Sequence, residues 1–221
     1  MLLSHFAKVK KGQNVLDLCT GSGVIPILMA ANTQGSHFTG LELQAEYADM
    51  AARSIAMNGL EGRIDIQCGD VRKVRELYQP ASFPVVTVNP PYMTEHHGLQ
   101  NLYEPKTIAR HEVMLSLEDV VAAAGYVLPE SGSFYMIHKP FRLAEIFQVM
   151  KQYRIEPKRM RLIQPYVDKE PTMVMIEGLK GGRPRITIEP SLIMYDRPGV
   201  YPEEIYRIYH KKRPQTEHVN I

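Results

Sequence analysis

The chain has 221 residues, 44% apolar and 23% charged, an ordinary globular composition that excludes a disordered polyelectrolyte and suffices for one domain with a sizeable core. No apolar run approaches the roughly 18 residues of a membrane span, and the lysines of residues 1–12 follow the apolar patch, the reverse of a secretory signal. Two cysteines, Cys19 and Cys68, are too few for a disulfide framework and fit a cytoplasmic protein, while a formal charge of +2 does not by itself indicate nucleic acid.

In chain order, residues 13–18 (QNVLDL) predict a short buried strand, followed by Gly21, Gly23 and an apolar helix from Val24 to about Asn32. Residues 37–43 predict a second strand and 44–58 a helix stopped by Gly59. A third strand at 63–68 ends in Gly69-Asp70, and a fourth at 83–88 runs into Asn89-Pro90-Pro91-Tyr92. Residues 93–104 lack periodicity and read as a loop, with a helix over 106–124. Strand 133–138, helix 141–153 and strand 155–164 continue the alternation, which implies parallel βαβ units with helices on both faces of one sheet. From 171 onward, short strand-like runs (172–179, 185–189 and 192–195) broken by Gly and Pro predict a closing antiparallel hairpin.

The first strand delivers Asp17-Leu18-Cys19-Thr20-Gly21-Ser22-Gly23, a glycine turn between strand and helix that lets the backbone approach a nucleotide-type ligand. Pro26 stands where a dinucleotide fingerprint has its third glycine, which argues against a nicotinamide dehydrogenase. Asp17 favours a cationic ligand group over a pyrophosphate. Glu42 closes the second strand 19 residues after Gly23, the expected place for an acid that holds ribose hydroxyls. Asp70 closes the third, where a carboxyl can accept from an adenine amino group. Each acid alone reads equally as a strand-end cap; three in this register around two glycines point to a cofactor cradle.

In Asn89-Pro90-Pro91-Tyr92 two prolines stiffen the turn and remove two amide donors. Such a turn presents the Asn89 side chain and the Pro90 carbonyl as acceptors beside the aromatic face of Tyr92. Two acceptors can hold the hydrogens of a planar NH2 group and turn its lone pair toward an electrophile, while Tyr92 stacks the plane.

These motifs resemble a class I S-adenosylmethionine-dependent amino-methyltransferase. The resemblance extends through residues 2–30, Ile108-Ala109-Arg110-His111-Glu112, Lys139-Pro140-Phe141-Arg142-Leu143 and Glu156-Pro157-Lys158-Arg159 to the bacterial tRNA(Val) adenine-N6 methyltransferase family, and covers nearly the whole chain. It implies a Rossmann-like α/β fold with a mostly parallel seven-stranded sheet and a C-terminal antiparallel hairpin, in a single domain over 1–221. It implies S-adenosylmethionine as cofactor, with Asp17, Thr20, Gly21 and Gly23 around the methionine moiety, Glu42 on the ribose and Asp70 on the adenine. Asn89 and Pro90 would hold the target N6 and Tyr92 would stack the target base. Apart from the resemblance, Arg110 and His111 read equally as a phosphate contact or as helix surface, and Arg159 as a substrate contact. The implied partner is tRNA, with the target adenine beside the anticodon flipped into the pocket. Family members begin earlier than Leu2, with a segment that helps cover the cofactor. The same motif serves protein glutamine-N5 and other nucleic-acid amino-methyltransferases, and a non-catalytic RNA-binding module on this fold is the reading from another class.

Residues 139–185 hold eleven basic against five acidic side chains, including Arg154, Lys158, Arg159, Arg161, Lys180, Arg183 and Arg185. This stretch is either a polyanion surface or a solvated basic face. His96-His97 has no Cys or His partner at zinc spacing, so no metal is expected and RNA contact is the reading for that loop. Cys19 has no arrangement of a nucleophile around it. Tyr195, Tyr201, Tyr206 and Tyr209 are read as packing in the last hairpin and helix.

Overall fold

Short β-branched runs alternating with amphipathic segments fold as consecutive βα units in the computed structural model, which describes residues 1–91 and 115–210. The first half is β1 (Asn14–Leu18), α2 (Val24–Asn32), β2 (His37–Glu42), α3 (Ala45–Met57), β3 (Ile64–Cys68) and β4 (Val85–Val88), each within two residues of its expected bounds. Two short elements were not foreseen: α1 (Leu2–Phe6), and α4 (Val74–Leu77) entered by a 3-10 turn. The helix expected over 106–124 falls partly outside the described residues; its described part is α5 (Leu117–Val127). Ser116 and Asp119 cap α5 reciprocally, which fixes where it starts. Then follow β5 (Ser133–His138), α6 (Leu143–Gln152), β6 (Ile155–Gln164), β7 (Met173–Lys180), β8 (Thr187–Ile193) and α7 (Glu203–Ile208).

The strands form one sheet in the order β3-β2-β1-β4-β5-β7-β6-β8. The first five are parallel, and β7 runs antiparallel between β5 and β6. The sheet thus has eight strands where seven were expected. An antiparallel hairpin does form, but between β6 and β7 and not within the runs from 171 onward as expected: β5 and β6 occupy both edges of β7, so the chain steps over β6 and β8 lies parallel on its far side. The single strand β8 contains Pro190, which an edge strand tolerates where a central one would not.

Alternation along the strands divides the core. Leu16, Leu18, Val86, Val88, Phe134 and Met136 face α5 and α6, whereas Val15, Phe38, Val85 and Tyr135 face α1, α2, α3 and α7. Strands β1 and β4 are buried on both sides, as parallel central strands are. The connection reverses direction between β1 and β4. There the carboxyl edge of the sheet opens into the crevice where ligands of such folds bind.

Candidate active site

The turn leaving β1 is held open by backbone conformations that favour glycine. Gly21 and Gly23 have φ of 56° and 77°, and Cys19 is in the same left-handed region at 57°. A side chain on Gly23 would come within 3.1 Å of the Ala51 Cβ, so this glycine is needed for α2 to pack on α3. A Cβ on Gly21 would meet nothing within 4 Å, so the backbone there borders open space. Gly40 on β2 has a role that sequence reading missed: its Cβ would stand 2.7 Å from the Thr20 Cγ2. The second strand is thinned where the loop crosses it.

Behind the loop lies Asp17, almost fully buried. Thr20 donates its hydroxyl to Oδ2 and Thr87 to Oδ1, each at 2.6 Å. Asp17 therefore joins the loop to β4, two residues before Asn89, and does not itself line the open space. Burial above all pushes its carboxyl up to about 7, with the nearby Glu42 adding and the two hydroxyls opposing. Burial likewise pushes the Cys19 thiol up to about 12, which suits packing and not nucleophilic chemistry.

Glu42 ends β2 beside this loop. The Gly21 N–H donates to its Oε2 at 2.8 Å and the Gln44 N–H to its Oε1 at 2.9 Å. A carboxylate has about four acceptor positions, so two remain for hydroxyls of a ligand. Asp70, past the end of β3, caps the 3-10 turn and accepts from the Arg72 backbone N–H and guanidinium. Those Arg72 bonds hold its carboxyl below the usual range. Between the two acids Leu43 leaves an apolar side chain 42% exposed, a surface able to pack a flat ring. It was not singled out from the sequence, where one Leu after a strand has no distinguishing signal.

On the other side of β1, Val88 pairs with Leu18 and with Met136, so Asn89 and Pro90 leave β4 beside the loop and next to the end of β5. Asn89 is exposed and Pro90 buried. His138, also missed, ends β5 at the level of Pro90 and is 2% exposed. Burial first, then Arg142, pushes it down to about 4, so the ring is neutral at pH 7. The Lys139 N–H donates to its Nδ1 at 2.7 Å, which leaves the ring proton on Nε2. Tyr92, His96, His97 and Arg110 lie outside the described residues. Among the described residues no cluster of three His, Cys, Asp or Glu could hold a metal ion, and no helix is long and apolar enough to cross a membrane.

Arg159 is not gathered into this site. It lies on β6, with its Nε donating to Glu177, its Nη1 to Glu189 at 3.0 Å and its Nη2 to the Phe6 carbonyl at 2.8 Å. Its charge is consumed in holding α1 to the sheet. The basic stretch is divided in the same way. Arg161 pairs with Glu204, and Lys151, Arg154, Lys158, Lys180, Arg183 and Arg185 lie toward the amino edge, opposite the crevice. Lys139, Arg142 and Lys169 remain on the carboxyl side.

The model of the methyltransferase small domain matches residues 1–154. The tRNA1(Val) (adenine(37)-N6)-methyltransferase of Porphyromonas gingivalis is 26% identical over 203 residues, covering 89% of this chain and 78% of that protein. Its counterpart of the same name in Aeromonas salmonicida is 24% identical, covering 95% and 86%. Among solved structures, a predicted O-methyltransferase from Agrobacterium tumefaciens superposes with a TM-score of 0.76 at 22% identity, covering 95% of this chain and 94% of that one. A geranyl diphosphate C-methyltransferase from Streptomyces coelicolor, solved with S-adenosyl-L-homocysteine, gives a TM-score of 0.58 at 12% identity, over 77% and 72%. The structural likenesses concern the fold.

Proposed function

Because the chain belongs to the methyltransferase small domain family, we propose that it transfers a methyl group from S-adenosylmethionine to N6 of adenine in tRNA, the valine tRNA position beside the anticodon. The observation that carries the reading is that Asn89 and Pro90 leave β4 directly beside the glycine loop after β1. An acceptor pair for an NH2 group thus adjoins a cradle for the methyl donor. The names of the relatives in Porphyromonas and Aeromonas support the choice of substrate. A tRNA substrate carries with it a cytoplasmic location.

The residues present fit the donor. The open space at Gly21 admits a ligand against the backbone, Thr20 shapes the loop and Gly23 starts the helix behind it. Glu42 receives ribose hydroxyls on the acceptor positions that Gly21 and Gln44 leave, and Asp70 receives the adenine amino group beside its Arg72 bonds. S-adenosylmethionine supplies an electrophilic methyl: the N6 lone pair forms the C–N bond, the S–CH3 electron pair stays on sulfur, and N6 then releases a proton to water. Asn89 and the Pro90 carbonyl hold the two N6 hydrogens so that the lone pair faces the methyl, which is catalysis by positioning. Tyr92 stacks the target base and Arg110 contacts a phosphate. Asp17 is a positioning residue that ties the donor loop to the acceptor strand through Thr20 and Thr87.

The test uses labelled S-adenosylmethionine with tRNA from cells lacking this gene, digested to nucleosides. Label in N6-methyladenosine is the expected result. No label with cofactor binding intact by calorimetry would transfer the acceptor role to another substrate, protein glutamine first. The variant Asn89→Ala is expected to lose about 100-fold or more in transfer with cofactor affinity nearly unchanged. Loss of cofactor affinity in that variant would contradict the role given to Asn89.

A further inference from the structure

Strands β6 and β8 run parallel to β4 and β5, so they end on the same carboxyl edge as Asn89. The chain leaving those two strands brings Tyr166, after β6, against Tyr195 and Tyr201, after β8. Tyr195 lies 5.7 Å from Tyr166 at an interplanar angle of 36°, and 5.2 Å from Tyr201 at 23°, a near-parallel column of rings. Tyr206 and Tyr209 brace Tyr201 edge-on at 5.6 and 5.7 Å. Packing accounts for Tyr206, which is buried, as the sequence led us to expect. Tyr201 and Tyr209 pack, half-buried, against the core; Tyr166 and Tyr195 are half-buried and belong to neither core cluster, and the hydroxyls of Tyr166, Tyr195 and Tyr201 have no hydrogen bond among the described residues. A cavity of about 330 Å³ meets the column at Tyr195 and is lined besides by Val167, Ile193, Pro202, Asp196 and Glu204. That volume is in the range of small-ligand sites.

The two carboxylates differ. Glu204 is held by both terminal nitrogens of Arg161, at 2.7 and 2.8 Å. Asp196 makes no side-chain hydrogen bond or ion pair among the described residues. A carboxylate beside aromatic faces repels a phosphate and accepts from the N–H edge of a base, such as the cytosine amino group. We propose that this end of the edge is a second nucleobase subsite, in which an unpaired base stacks on the Tyr166–Tyr195–Tyr201 column and donates to Asp196. It rests on the RNA reading above. From β4 to β6 and β8 there are three and four strand spacings, roughly 14–19 Å. The base bound here is therefore not the target adenine but one a few nucleotides away on the same loop.

The test is an abasic scan. Anticodon stem–loop hairpins are made with single abasic nucleotides at positions other than the target adenine, and their affinity is measured by filter binding. One abasic position is expected to weaken binding by the wild-type protein about tenfold, the order of one lost base–aromatic stack. Tyr195→Ala should weaken the intact hairpin by a similar factor and be indifferent to that abasic position. A flat scan, or losses that multiply in the combination, would overturn the subsite. Asp196→Asn gives a second reading that does not disturb the rings: wild type should prefer a base with an N–H donor edge at the sensitive position, and the variant should lose that preference. A preference retained by the variant would also overturn the assignment. Binding and methylation of the intact hairpin by wild type are measured first. If both occur and the scan is flat, only the subsite fails; if neither occurs, the RNA reading fails and the subsite with it.

Discussion

Asp17 is a buried carboxyl satisfied by two threonine hydroxyls, with burial outweighing them and the more distant N-terminal amine. Its displacement to about 7 has a definite sign for stability. The unfolded chain ionises this group near the ordinary value of about 3.9. Between there and about 7 the folded state retains a proton that the unfolded state has lost. The stabilisation is complete below the ordinary value, falls as pH rises through that window, and is gone above it, a change of roughly 4 kcal/mol. In Asp17→Asn the side chain has the same size and carries no charge; one hydroxyl still donates to its Oδ1 and the other can turn to accept from its Nδ2. Denaturant unfolding at pH 5 and pH 8 should therefore move the variant upward relative to wild type by about 2–3 kcal/mol across the interval. An offset that is the same at both pH values would show that Asp17 is ionised in the fold throughout.

At the scale of elements, the strands and helices of the first half were legible because each is closed by its own punctuation: Gly21 and Gly23 after β1, Gly59 after α3, Asn89-Pro90 after β4. That Asp17, Glu42 and Asn89 lie at one edge of the sheet was legible because parallel strands bring their carboxyl ends together. The bond from Thr87 to Asp17 was not, since it joins residues 70 apart through strand register alone. The direction of β8 depends on which edges of β7 are already taken, a property of the sheet and not of residues 187–193. Helix α1 has five residues, too few to display a period, and what holds it is distant: Arg159 donates to the Phe6 carbonyl and lies 3.7 Å over the Phe6 ring. Removing that guanidinium leaves Glu177 and Glu189 facing each other with little solvent. Arg159→Met is expected to cost about 2–3 kcal/mol, less than a fully buried pair because both acids keep some water. Hydrogen exchange should find the amides of residues 4–8 deprotected. Arg159→Lys should restore little, because one ammonium cannot span two carboxylates and a carbonyl. A variant as stable as wild type, with α1 still protected, would make the cluster incidental.

For the whole molecule, the position of charge matters more than its sum. The excess of basic residues over 139–185 suggested a surface for a polyanion, but antiparallel β7 carries the chain back across the sheet and separates those residues between opposite edges. Arg183 and Arg185 follow β7 at the edge where β5 begins, a whole strand length from Asn89, and Lys158 donates to the Arg183 carbonyl there. Lys139 follows β5 on the same edge as Asn89, immediately after His138. On the proposed reading, an RNA loop with its adenine at Asn89 would have its phosphates beside Lys139 and not beside the two arginines. Each phosphate contact contributes close to one unit to the slope of log affinity against log salt. Lys139→Ala should thus lower that slope by roughly one and weaken tRNA binding most at low salt. Arg183→Ala combined with Arg185→Ala removes two charges from the same basic stretch and should leave the slope as it is. Equal effects of the two changes would mean that RNA wraps both edges of the sheet. An effect confined to the arginines would move the RNA away from Asn89, and with it the acceptor geometry.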